Sequence, residues 1–424
     1  LENQNSKNGQ SNILCALPFV HPFFDVRGYY FPCCNAVNLT DQTKHVSELT
    51  AEEWFYSDTM NTLRADMING VRNELCTHCW KKDDIGISSP RIAANEYWKN
   101  KYDHNNPVPK FFDLKPSNHC NLACIFCTAS SSDKIVKITE SLAPDDKPSR
   151  WEGAVKTLKQ REKDFGISFD PTVVDYIKRN IKDLELLKFT GGEPFLSKDV
   201  LEILTLVSDL KPEVEIKITT NGTVITKEFY PILKKMKKTS IKFSIDAVDD
   251  LYSYIRFPSK WPQFQKRIEN NMKHLPDVNF NVNCLITNMN LEQIPKIRDW
   301  YKDLESKYSN LKFIIIDPNL NPIDNESSLY MMDPEVLLQI KEKLKEETQD
   351  WDMSCHTDSQ ISNVYKKIDD AVKNNLFAIK EKHYSKICRL EFIRQNKIRN
   401  TNISSVVEPI TKTFFEQLEV GKYD

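Results

Sequence analysis

Residues 118–127 read Asn118-His119-Cys120-Asn121-Leu122-Ala123-Cys124-Ile125-Phe126-Cys127, three cysteines at C-x3-C-x2-C spacing. The run before them, residues 110–115, is short, apolar and aromatic, and reads as a strand. Three thiolates on one compact loop can hold three corners of a cubic iron–sulfur cluster, a group suited to soft sulfur ligands. The fourth iron would keep an open position, where chemistry can happen by the logic of an open catalytic zinc. A zinc knuckle and three buried thiols are the rival readings. Structural zinc takes a fourth protein ligand, and His119, adjacent to Cys120, is badly placed to supply it.

Outward from this loop the chain alternates between two patterns. Apolar runs rich in Ile, Val and Phe predict strands at 110–115, 184–190, 213–219, 241–245, 280–286 and 311–317. Helical patterns lie between them at 198–210, 227–237, 261–273 and 291–306. Such alternation implies β/α units on a parallel sheet, and six strands fall short of the eight of a closed barrel. The long segment 128–150, rich in Ser and Asp, reads as a loop.

With these residues in view, the chain resembles the radical S-adenosylmethionine (SAM) superfamily. The C-N-L-x-C-x-x-C form is specific to that family. Thr190-Gly191-Gly192-Glu193-Pro194, one strand further on, stands where the family carries its Gly-Gly-Glu-Pro motif. The resemblance implies an α/β fold, a partial (β/α)6 TIM-like barrel with ligands at the C-terminal ends of its strands. Cys120, Cys124 and Cys127 would bind a 4Fe-4S cluster that also binds SAM and cleaves it to a 5′-deoxyadenosyl radical. Gly191 and Gly192 would allow close backbone approach, and Glu193 would accept from the SAM ammonium. Phe126 matches an aromatic near the adenine. Asn221, Ser244 and Asp246 end strands at the same rim and would offer polar groups to SAM. A plain turn at Asn221-Gly222 and helix capping by Ser244 and Asp246 are equally open. The implied partners are a peptide or small-molecule substrate and a flavodoxin- or ferredoxin-type reductant.

The first hundred residues hold a second set of cysteines. Cys15, Cys33, Cys34, Cys76 and Cys79 lie among aromatics and histidines, with Cys33 at the end of a predicted hairpin, 23–32, that turns near 25–28. A helix is expected at 51–69, with Thr50 and Glu53 at capping-box spacing. Cys15, Cys33, Cys76 and Cys79 could converge on a second 4Fe-4S cluster, and Cys34 could replace Cys33 because neighbours on a strand face opposite ways. Zinc suits four cysteines as well. The Gly28-x4-Cys33 element resembles the auxiliary-cluster domains called SPASM and twitch, although here it precedes the barrel. His21 and His78 read as packing or outer-shell groups. Arg72 and Arg91 flank the C-x2-C and could meet a substrate carboxylate or form salt bridges. Cys284, Cys355 and Cys388 read as inert; by resemblance, Cys355 could match the extra cysteine of some radical SAM methyltransferases.

The expected organisation is an N-terminal Cys-rich auxiliary-cluster domain at 11–104, a radical SAM barrel at 105–347 and a helical C-terminal extension at 348–424. The acidic count of 60 against 58 basic residues argues against a broad nucleic-acid surface. Eleven cysteines, an odd number without a secretory segment ahead of them, disfavour a disulfide framework. No apolar run approaches the ~18 residues of a membrane span. Residues 1–12 are polar, and the expected compartment is cytoplasmic. A non-enzymatic iron–sulfur carrier is the competing class; Gly-Gly-Glu-Pro argues against it, because a carrier has no need of a SAM-amine site.

Overall fold

The computed structural model describes residues 13–25, 28–36, 44–84, 89–148, 151–153, 155–156, 158–159, 172–317, 327–375 and 382–422. The chain divides into two compact units. The first comprises Leu1–Asn118, Lys159–Ile218 and Lys235–Lys238; the second comprises His119–Leu158, Thr219–Lys234 and Thr239–Asp424.

The first unit holds β1 (Phe23–Phe24), β2 (Tyr30–Phe31), β3 (Phe111–Leu114), β4 (Leu186–Phe189) and most of β5 (Glu215–Thr220). β1 and β2 form the expected antiparallel hairpin, with Phe23 opposite Phe31. β3 pairs parallel with β1 on one side and with β4 on the other, and β5 follows β4 in parallel register. The second unit holds nearly all of β6 (Lys238–Ser244), then β7 (Asn279–Leu285) and β8 (Leu311–Asp317), again parallel. The six strands β3 to β8 are those read from the apolar runs, and within each unit they pair in parallel, as an α/β fold requires. β5 and β6 alternate buried and partly exposed residues, the period-2 mark of strands with one buried face.

The helices follow from the same chemistry. At Lys198–Leu210 the Ser197 hydroxyl caps the start by accepting from Val200 N, and Val200, Ile203, Leu204 and Val207 form one buried face. Burying each such side chain contributes roughly 1.5–3 kcal/mol relative to leaving it exposed. The capping box between Thr50 and Glu53 forms as expected. The helix expected at 51–69 is instead two, Ala51–Phe55 and Asp58–Ile68, because Ser57 leaves the helical conformation and caps the second.

One expectation fails more clearly. The segment 128–150, read as a loop, contains the helix Asp133–Ser141 between short turns at Ala129–Ser131 and Pro144–Asp146. Ser132 caps that helix, and Ile135 and Thr139 bury one side of it. Its tail at 149–150 lies outside the described residues. The end of the chain is helical, as expected, at Ile361–Lys373, Lys382–Arg399 and Pro409–Glu419. Among the described residues, no helix is long and apolar enough to cross a membrane.

Candidate metal centres and cofactor site

In the second unit the loop carrying Cys120, Cys124 and Cys127 is tied down from several directions. Ile125 N donates to Ile255 O at 3.1 Å and Ala123 N to Phe257 O at 2.7 Å, which fixes the backbone on both sides of Cys124. Arg399, from the C-terminal helix Lys382–Arg399, is buried and donates to Ala123 O at 3.0 Å and Tyr254 O at 2.7 Å. Trp151 Nε1 donates to Cys127 O at 3.0 Å. Ser132 Oγ donates to Leu122 O at 2.6 Å, and Cys120 N donates to Asp133 Oδ1 at 2.9 Å. The segment read as a loop and the C-terminal extension both brace these cysteines.

The thiols themselves meet donors. Leu122 N lies 3.5 Å and Asn221 Nδ2 3.7 Å from Cys120 Sγ. Arg256 Nη1 lies 3.8 Å from Cys124 Sγ. Burial pushes the Cys124 thiol up, and the Arg256 guanidinium works against that rise. Donors aimed at sulfur fit ligands that act as thiolates. Asn221 also donates to Asn121 Oδ1 at 2.9 Å and accepts from Thr223 N at 2.9 Å, so the end of β5 is stitched to the cysteine loop. The next residue, Gly222, has φ +71°, and a Cβ there would stand 2.7 Å from Phe264.

The other predicted residues of this unit are less alike. Ser244 is half-buried at the end of β6. Phe126 lies beneath the Arg256 guanidinium, 5.5 Å from Cζ to ring centroid. Asp246 is fully buried; it is ion-paired with Arg256 and accepts from Leu285 N at 2.9 Å. Arg256 was not among the residues singled out from the sequence. Its only local signal is a charge set between Ile255 and Phe257.

In the first unit, Gly191 has φ +109°, and a Cβ there would stand 3.0 Å from Ser117 O, so glycine is required. Gly192 N donates to the same carbonyl at 3.0 Å. Glu193 is buried, and its carboxylate accepts from Phe195 N at 3.2 Å.

The first unit also gathers the N-terminal cysteines. Cys15, Cys33, Cys76 and Cys79 line one cavity, with Leu17 and Leu75 among its apolar walls. Cys33 is the member of the adjacent pair that lines it, while Cys34 is exposed. Burial pushes Cys15 and Cys76 up to about 12 and raises Cys33 as well. Among the described residues, no three His, Cys, Asp or Glu side chains are drawn together at the spacing of a single metal ion. The donor set, four cysteines around a shared apolar cavity, fits a sulfur-bridged iron cluster.

The cavity is framed by Arg91, which donates to Leu14 O at 2.9 Å and pairs with Asp83 at 2.8 Å. Asn95 grips the same segment, donating to Leu14 O at 2.7 Å and accepting from Ala16 N at 2.8 Å. Arg72 pairs with Asp84 at 2.8 Å. His21 is buried and stacked on Phe111 at 4.1 Å, and burial brings its pKa down to about 4. His78 is exposed. Of the remaining cysteines, Cys284 and Cys388 are buried. Cys355 lies 3.4 Å from Lys302 Nζ.

Residues 114–301 match the Radical SAM superfamily. The probable GTP 3′,8-cyclase of Methanocaldococcus jannaschii is 24% identical over 221 residues, covering 50% of this chain and 63% of that one. The GTP 3′,8-cyclase of Mannheimia succiniciproducens is 27% identical over 195 residues, covering 46% and 50%. The chain thus spans about half the length of the curated relatives it matches. Among solved structures, Streptococcus suis SuiB bound to S-adenosylmethionine is 18% identical with a TM-score of 0.36, covering 71% of this chain and 61% of that one.

Proposed function

We propose that the chain is a radical SAM enzyme that cleaves S-adenosylmethionine reductively and abstracts a hydrogen atom from a peptide or small molecule, a reading supported by the match of residues 114–301 to the Radical SAM superfamily. The observation that carries this reading is the braced C-x3-C-x2-C loop, with N–H donors directed at the Cys120 and Cys124 sulfurs. A radical SAM domain binds a 4Fe-4S cluster and SAM, and the cluster supplies the electron that splits SAM into methionine and a 5′-deoxyadenosyl radical.

The chain's own residues do the rest. Cys120, Cys124 and Cys127 are the cluster ligands. Leu122 N and Asn221 stabilise the Cys120 thiolate, and Arg256 that of Cys124. Buried Leu122, Ala123 and Ile125 keep water from the loop. Phe126 offers a face to the adenine. In the first unit, Gly191 and Gly192 admit close backbone approach and Glu193 is suited to accept from an ammonium; in the second, Asn221 and Ser244 offer polar contacts. Cys15, Cys33, Cys76 and Cys79 hold a second 4Fe-4S cluster in a SPASM- or twitch-like region. Fully ligated, that cluster serves electron transfer. A flavodoxin- or ferredoxin-type reductant delivers the first electron. A reducing cytoplasm suits a chain whose eleven cysteines are not joined in disulfides.

A second reading of the substrate, a purine nucleotide, is favoured by the relatives named GTP 3′,8-cyclase. Anaerobic protein given iron, sulfide, dithionite and SAM should yield 5′-deoxyadenosine. A protein that neither binds SAM nor forms this product would instead be an iron–sulfur carrier. GTP added to the same assay should accelerate product formation under the nucleotide reading and leave it unchanged under the peptide reading.

A further inference from the structure

Arg256 stands out among the charged groups of the second unit. It is buried, on the segment between Ile255 and Phe257 whose carbonyls hold Ile125 and Ala123. The backbone that fixes both neighbours of Cys124 thus also presents a guanidinium to the Cys124 sulfur, at 3.8 Å. On its other side the guanidinium is ion-paired with Asp246, which is fully buried and further held by Leu285 N. The backbone carbonyl of Asp246 is in turn bound by Asn290 Nδ2. A buried ion pair is costly to desolvate and is weak evidence of a role in stability alone. Here its cationic end is aimed at a proposed iron ligand.

We propose that Arg256 is a positioning residue that sets the reduction potential of the SAM-binding cluster, with Asp246 holding its guanidinium against Cys124. The inference rests on the reading of Cys120, Cys124 and Cys127 as cluster ligands. Hydrogen bonds to ligating sulfurs and a nearby positive charge both stabilise the reduced, more negative state, so Arg256 raises the potential. This makes the electron easier to deliver from a weak donor. Asp246 thereby acts through Arg256 and not on SAM.

The test is a redox titration of reconstituted wild type, Arg256→Gln and Arg256→Lys, with iron counted in each sample. The signal followed is that of the cluster whose spectrum changes when SAM is added. Glutamine keeps a hydrogen bond to Asp246 but loses the charge. Lysine keeps the charge, but its single ammonium cannot reach both Asp246 and Cys124. We expect a shift to lower potential in both, larger in Arg256→Gln, at full iron content. An unshifted potential in the variants that retain the cluster would overturn the proposal. If Arg256→Gln fails to assemble, Arg256→Lys decides alone. A wild-type protein with no SAM-responsive cluster would instead defeat the reading of the three cysteines, a failure visible before any variant is measured.

Discussion

The two cysteine sets are built on opposite plans. The central set comes from eight consecutive residues, Cys120 to Cys127, and meets polar groups: Asn221 and Arg256 both reach sulfur. The N-terminal set comes from three separated segments and lines an apolar cavity, where burial raises Cys15, Cys33 and Cys76. Yet the two share one device. A buried arginine grips the carbonyl just before a cysteine: Arg399 holds Ala123 O before Cys124, and Arg91 holds Leu14 O before Cys15. The difference teaches which chemistry each suits. On the proposed assignment, the polar central set would leave an iron position open to activate a ligand, and the apolar four-cysteine set would hold a fully ligated cluster suited to passing electrons.

The sharpest way to break this comparison is to remove each set. Replacing Cys120, Cys124 and Cys127 together with Ala should abolish SAM cleavage while sparing the spectrum of the N-terminal cluster. Full SAM cleavage by that variant would end the assignment. Replacing Cys76 and Cys79 with Ala should do the reverse, leaving reductive SAM cleavage intact while substrate turnover falls.

Next in size come the two arginines. Arg399→Met and Arg91→Met each break buried hydrogen bonds and should cost about 3 kcal/mol in urea unfolding. Each should also release iron selectively, from the central set in the first case and from the N-terminal set in the second. Equal iron loss from both sets in either variant would contradict the shared-device account.

An effect confined to acid pH concerns His21 in the first unit. Its folded pKa of about 4 lies below the ordinary 6.5, so the unfolded chain binds the proton more tightly. The stability tied to neutral His21 is complete above pH ~6.5 and is lost as pH falls toward about 4, on the order of 3 kcal/mol in all. His21→Phe should flatten that slope in urea titrations between pH 4 and 7 (~3 units). An unchanged slope would show that His21 does not carry it.

Much of this was legible in the residues. Six parallel strands could be read because each is an apolar run bounded by polar helices, a pattern that needs no tertiary information. The central thiols were legible because they are local. The helix Asp133–Ser141 was missed because its apolar residues Ile135, Val136 and Ile138 are few and set among Ser, Asp and Lys. Ser132 as a cap was the available signal. Arg256 and Arg399 were missed for a deeper reason. Burial of a lone arginine leaves no periodic trace, and Arg399 ends a helix that is polar in composition. Their partners Asp246, Tyr254 and Ala123 come from distant parts of the chain.

The most direct measurement is anaerobic reconstitution with iron and sulfide counted per chain, followed by dithionite and SAM. The account predicts about eight irons and formation of 5′-deoxyadenosine. About four irons with the same product would leave the radical reaction standing and make the N-terminal site zinc or empty. A folded protein with no iron and no 5′-deoxyadenosine would contradict the central claim.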